Sequence, residues 1–284
     1  GLVQQTDRPR LDCPMSAAPD SLTIILLASV FVVLAEMLRA LSAGALLSPP
    51  QPRRQLQFDW AVLGAALFFI LLNVIPVLLQ PFLPVVESAA EKPTPTSRGV
   101  EGAILTNLFI MAVLITLIFA RPKNRLADYG IDLRGWLAEM RFGGLAFLAC
   151  LPFVIALILL TSHWRSPDTQ NPLLILLRQT GSERTLSEVV FAAVLSAPLA
   201  EELLFRVAFQ GPLEARLHPV WAIALPAFVF AGVHGRYDAL PLLPLALALG
   251  VLYHFRRSYV AVVTAHALFN ATFLILALAQ KTSS

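Results

Sequence analysis

Eight apolar runs, most of them about as long as a bilayer core is thick (roughly 20 helical residues), dominate this chain. They fall at about 22–47, 60–80, 102–120, 142–161, 186–210, 219–235, 239–254 and 258–279. Few architectures accept such runs. Lipid offers no water to unpaired backbone groups, so a spanning segment is either a helix or a strand of a closed barrel. The period-two alternation of a barrel is absent. The expected fold is therefore all-α, a polytopic integral membrane protein with about eight transmembrane helices. Composition agrees: 57% of residues are hydrophobic and 14% charged, against about 45–50% and about 25% in soluble domains. No long polar stretch is left to form a second domain, and no internal repeat is visible.

Punctuation divides the chain into a polar tail (1–20), an N-terminal set of helices and loops (21–184) and a C-terminal core (185–280). The tail contains proline and lacks a signal-peptide layout. Thr185-Leu186-Ser187-Glu188 fits a capping box with Thr185 as N-cap, and Gly211-Pro212 reads as the stop of that helix. Pro198 inside it removes a backbone donor and predicts a kink. The net charge of +3, scattered over loops, argues against nucleic acid and for contact with lipid head groups. Arg121, Lys123, Arg125, Arg134 and Arg141 cluster in one loop, which leans that loop towards the cytoplasm. The two cysteines, Cys13 and Cys150, are too few for a disulfide framework. Cys150 reads as a small core residue.

Polar groups inside the apolar runs carry the functional signal. A charge at the bilayer centre costs about 2.5–3.5 kcal/mol even on the gentlest scale, yet Glu201 and Glu202 stand side by side. Glu202 and Arg206 are four apart, share a helix face and form the favourable acid-before-base pair. Glu201 lies about 140° away from Arg206 around the helix and has no evident counter-ion, which suits a general base. The bland alternative is that both acids pair with basic groups of other helices. Arg39 is the chief candidate, although Glu36 stands three residues before it. His234 could equally be a hydrogen-bonded core residue, with Gly232 and Gly235 allowing a neighbouring helix close. His266 and Asn270 are four apart on one face. They form either a two-donor oxyanion hole or an interhelical hydrogen-bonded pair. His163, His218 and His254 fall in loops or at span ends and read as solvated or interfacial.

Helical rise brings these groups only partly level. Glu201 comes out about 14 Å from residue 210 and His266 about 12 Å from residue 258, but His234 about 22 Å from residue 219. A kink at Pro226 or a connection dipping into the membrane would close that gap.

The ordered set of motifs resembles the CPBP family of intramembrane proteases (CAAX proteases and bacteriocin-processing enzymes, also called the Abi family). The matching residues are Glu201-Glu202-Leu203-Leu204-Phe205-Arg206, Phe230-Ala231-Gly232-Val233-His234 and His266-Ala267-Leu268-Phe269-Asn270. The resemblance covers roughly 185–275. It implies an intramembrane peptidase in which Glu201 and His234 activate water, His266 and Asn270 hold the oxyanion, and Glu202 and Arg206 support the site. A metal-free glutamate mechanism is expected, with no cofactor. A zinc held by the same histidines and carboxylates is the mechanistic alternative. The implied partners are the bilayer and a membrane-associated peptide or protein substrate. Cleavage after prenylated cysteines, peptide maturation and surface-protein sorting are all open, and the expected location is the cytoplasmic membrane of a prokaryote. Rival readings are a non-enzymatic bacteriocin-immunity or scaffolding protein, and a transporter, which should show repeats or paired broken helices.

Overall fold

The structure is a computed structural model that describes residues 59–79, 96–120, 126–164 and 172–282, together with Phe31 and Ala35. Every regular element among them is helical. The apolar run 22–47, with Glu36 and Arg39, lies outside the described residues apart from Phe31 and Ala35, as do Cys13, Arg121, Lys123 and Arg125.

Among the described residues from 59 on, eight helical rods follow one another. They are α1 (Trp60–Leu79), α2 (Ser97–Phe119), α3 (Trp136–Thr161), α4 (Pro172–Gln179), α5 (residues 183–214), α6 (Pro219–Val233), α7 (Ala239–Arg256) and α8 (Tyr259–Thr282). Their starts follow from local chemistry. Asp59 accepts from the backbone N–H groups of Ala61 and Val62, and Thr96 from that of Gly99, each satisfying donors that a helix start leaves open. Pro219 opens α6 at a position where its missing N–H costs nothing. α7 and α8 are separated by a tight turn with Arg257 in the left-handed region.

Four of the rods are long and apolar enough to cross a membrane: Ser97–Phe119, Trp136–Thr161, Ala239–Arg256 and Tyr259–Ala279. Trp60–Pro76 and Pro219–Val233 are shorter apolar helices. The chain is an integral membrane protein, all-helical among the described residues. α4 is an eight-residue helix that does not correspond to any of the eight apolar runs.

α5 departs from its sequence reading at both ends. Its N-cap is Ser182, which accepts from the Thr185 N–H at 3.4 Å, so Thr185 sits inside the first turn and is not the cap. The Glu188 carboxylate does not turn back to close a box. It accepts from Ser97 Oγ at 2.5 Å and pairs with Arg184, which also reaches Glu101, pinning α5 to α2. At the other end the rod passes through Gly211-Pro212 and stops at Glu214. The cause lies in two widened π turns, Ala192–Ser196 and Leu203–Gln210. Each ends two residues before a proline, Pro198 and Pro212. A proline ring collides with the carbonyl four residues back in a regular α-helix. A wider turn moves that carbonyl and lets the rod continue.

α8 is set against α3 and α7. A Cβ on Gly143 of α3 would stand 2.4 Å from the Ala261 carbonyl oxygen and 2.9 Å from Thr264 Cβ, so only glycine permits this approach. It brings the following turns of α8, which carry His266 and Asn270, into the middle of the bundle. Cys150 is buried in the same α3 core, with Sγ against the Phe147 carbonyl.

Candidate functional site

α5, α6 and α8 bring Glu201, Glu202, His234, His266 and Asn270 to one place. Glu202 and Arg206 are fully buried, and the guanidinium Nε donates to Glu202 Oε2 at 3.2 Å. The other oxygen of Glu202 accepts from His266 Nδ1 at 2.8 Å. One carboxylate therefore joins α5 to α8 and fixes the plane of the His266 ring, leaving Nε2 free for the cavity side.

Glu201 projects elsewhere, as the helix geometry requires. It is 28% exposed, and its Oε2 lies 3.9 Å from His234 Nε2 and 3.8 Å from His266 Nε2. No hydrogen bond engages that oxygen. No Lys or Arg pairs with Glu201 among the described residues; its neighbours are two imidazoles.

His234 is the C-cap of α6, and Gly235 follows in the left-handed region (φ +87°). That turn ends the helix and leaves the ring turned back on it. His234 Nδ1 donates to the Phe230 carbonyl at 2.7 Å. A carbonyl can only accept, so Nδ1 carries the proton and Nε2 is the atom that faces Glu201. The close-packing role expected of Gly232 and Gly235 is not what they do. Among the described residues a Cβ on either meets nothing within 4 Å; Gly235 serves by its backbone angle instead.

Asn270 has a partner that the sequence did not suggest. Its Nδ2 donates to the Ala193 carbonyl at 2.8 Å. In the first π turn the Ala197 N–H reaches back to the Ala192 carbonyl, and Pro198, next in line, has no N–H. The Ala193 oxygen is thereby stripped of both helical donors, and Asn270 replaces them. One amide N–H of Asn270 remains for other use.

The ring of Phe230 organises the cluster. It lies 4.7 Å from the His234 ring and 5.6 Å from that of His266, edge-on to Phe205 at 5.1 Å, with the Arg206 guanidinium 5.4 Å from its centre. Beyond Arg206, Gln210 donates to Glu214 and to the Gly250 carbonyl, and Glu214 pairs with Arg257 and His254. A polar column at every fourth residue of α5 thus runs from His266 to the helix end. His254, in the last turn of α7, joins it with Nδ1 3.1 Å from Glu214 Oε2 and is 18% exposed, in keeping with the second of its two readings, interfacial rather than solvated. The spacing 202, 206, 210, 214 is visible in the sequence, but the apolar run ends at 210 and leaves Glu214 outside it. His218 is exposed and caps α6.

The depth mismatch has an unforeseen solution. With α5 ending at Glu214 instead of 210, Glu201 lies further from the helix end, which narrows the gap to His234. α8 itself begins deep, for the Tyr259 hydroxyl donates to the Leu199 carbonyl at 2.6 Å.

The Glu201, His234, His266 and Asn270 side chains line a cavity of about 270 Å³ whose other walls are largely apolar, including Val154, Ile158, Leu242 and Phe273. As donors for a metal the set is loose. A tetrahedral ion bonded at about 2.0–2.1 Å holds its ligand atoms roughly 3.4 Å apart, short of the 3.8 and 3.9 Å found. Two acceptors 3.9 Å apart suit a water that donates a hydrogen to each.

Residues 184–272 match the family model described as Type II CAAX prenyl endopeptidase Rce1-like, in agreement with the CPBP and CAAX protease family that the three motifs resemble. No curated protein matches the chain, and no solved structure does.

Proposed function

We propose that the chain is an intramembrane endopeptidase of the CAAX type that hydrolyses a peptide bond of a membrane-associated substrate by a glutamate mechanism. The observation that carries this reading is the position of Glu201 Oε2, unpartnered and facing the Nε2 atoms of His234 and His266. A water held between Glu201 and His234 donates one hydrogen to the carboxylate and one to the imidazole, turning an oxygen lone pair towards the cavity. Attack on the substrate carbonyl carbon transfers a proton to Glu201. His266 acts as an imidazolium, its Nδ1–H held by Glu202, so that its Nε2–H and the second amide N–H of Asn270 both donate to the oxyanion. Collapse breaks the C–N bond as Glu201 returns the proton to the leaving nitrogen, giving an amine and a carboxylic acid.

Glu202 and Arg206 do not touch the substrate in this scheme. They hold the His266 ring and compensate charge in the apolar interior. The largely apolar cavity suits a substrate whose residues beside the scissile bond are hydrophobic or lipid-modified. Eight spans in total, with the run 22–47 as the first, are part of the same proposal.

The test is hydrolysis in liposomes. Purified protein is offered quenched-fluorescence peptides with and without a prenylated cysteine, alongside Glu201→Gln. Turnover by the parent and none by a folded Glu201→Gln variant supports the reading. Equal turnover by both removes the general base, and no turnover by the parent on any such peptide counts against a peptidase.

A further inference from the structure

Glu201 and His234 line two cavities. Besides the one already described, they form part of the wall of a second, of about 200 Å³, lying between α1, α2, α5 and α6 and bordered by Asn73, Thr106 and Asn107. The first cavity opens among α3, α4, α7 and α8. The pair α5–α6 therefore stands as a partition with the same two side chains reachable from either face.

The two chambers differ in chemistry. The first offers apolar walls apart from the four site residues and Asp238, so a chain filling it closes it to water. The second carries three uncharged polar side chains on α1 and α2. Asn73 and Thr106 are exposed and Asn107 half-buried; they differ from the equally exposed Leu105, Leu108 and Phe109 of α2 in polarity, not in exposure. Asn73 Nδ2 donates to the Phe69 carbonyl, Thr106 Oγ1 to the Gly102 carbonyl and Asn107 Nδ2 to Ser196 Oγ. Each amide keeps an N–H and a carbonyl oxygen for other partners, and the hydroxyl keeps its lone pairs. Polar side chains at membrane depth gather where a helix borders water or another helix, and a space this size has room for several water molecules.

Resting on the peptidase reading above, we propose that the Asn73–Thr106–Asn107 chamber supplies the hydrolytic water to Glu201 and His234, from the face of α5–α6 opposite the substrate. Hydrolysis consumes a water at each turnover while the substrate occupies the first cavity. A separate entry lets Glu201 be recharged without release of the acyl half. Thr106 and Asn107 are then positioning residues for water, with no contact to the peptide.

Two measurements test this. Thr106→Val combined with Asn107→Leu removes the polar lining; kcat should fall about tenfold, the worth of one or two hydrogen bonds to the water, with KM within about twofold. Leu242→Phe, which narrows the first cavity, should instead raise KM. The second measurement needs no activity. In a Cys13→Ser, Cys150→Ala background, Thr106→Cys should react with a charged methanethiosulfonate reagent in liposomes. Leu105→Cys, one residue along on the lipid face, should react only with a lipophilic maleimide. An active parent whose Thr106→Cys labels no faster than Leu105→Cys, or whose double variant keeps its kcat, overturns the water route and leaves the peptidase standing. An inactive parent overturns both.

Discussion

Asn270 of α8 donates to the Ala193 carbonyl of α5 at 2.8 Å, and the need for that bond is created by Pro198. The proline that interrupts the helix is thus tied energetically to the last motif of the site. Asn270→Ala should therefore do two things at once. Loss of an oxyanion donor costs about 2.7–4 kcal/mol of barrier, a hundredfold or more in rate. An orphaned carbonyl costs a further 1–3 kcal/mol or so of stability. The second effect is separable. In a Pro198→Ala background the residue at 198 again has an N–H, so the melting-temperature penalty of Asn270→Ala should shrink while the rate penalty stays. Equal penalties in both backgrounds would break the link between the two residues.

Glu201→Gln should abolish proteolysis and leave the protein folded. The carboxylate makes no hydrogen bond through Oε2 and holds no helix in place, so an amide of the same shape removes only its basicity. General-base loss is worth about a hundred- to ten-thousandfold. Single-turnover rates in detergent, with melting curves of both proteins, read the two quantities separately.

Sequence patterning reached most of this site because the energetic rule behind it is severe: ionisable groups are not spent idly in lipid. That rule singles out Glu201, Glu202 and Arg206, and the four-residue spacing pairs the last two. It says nothing about which ring nitrogen of His266 meets Glu202, since this depends on how α5 crosses α8. The π turns were not legible either. Gly211-Pro212 reads as a stop only in α-helical register, whereas a widened turn before each proline lets the rod pass through Pro198 and Pro212. The same assumption ends α5 at 210, places Glu201 too near the helix end and hides the contacts of Gln210 and Glu214. The cap is Ser182 although Thr185 and Glu188 match a four-residue signature, because the helix starts three residues earlier and it is the Thr185 N–H that needs an acceptor.

Glu202→Ala and Arg206→Ala should each lower stability as well as activity. Both side chains are fully buried, and removing one leaves the other uncompensated at a cost of about 3–5 kcal/mol. The double replacement should be milder than the sum of the singles. The bond from Glu202 to His266 adds a distinction that the pair alone does not make. Glu202→Gln keeps shape and one acceptor for His266 Nδ1, so it should restore more activity than stability relative to Glu202→Ala. Thermal unfolding in detergent that finds either alanine variant as stable as the parent would sink the buried-pair account.

Hydrolysis should proceed without a bound metal. The acceptors around Glu201 are spaced for a water, and each histidine has its Nδ1 already committed, His234 to the Phe230 carbonyl and His266 to Glu202. Such commitments also orient metal-binding histidines, so composition alone does not decide the matter. The two mechanisms separate in their mutants. For a glutamate enzyme, His266→Ala and Asn270→Ala both slow the chemical step by about a hundredfold or more with substrate binding little changed. For a zinc enzyme, His266→Ala loses the ion, Asn270→Ala matters less, and a phenanthroline chelator inactivates reversibly. Elemental analysis of purified, active protein is the direct measurement. Full activity at well under one zinc per chain is the expected result; one tightly bound zinc per chain, required for turnover, would replace the glutamate mechanism and keep the peptidase.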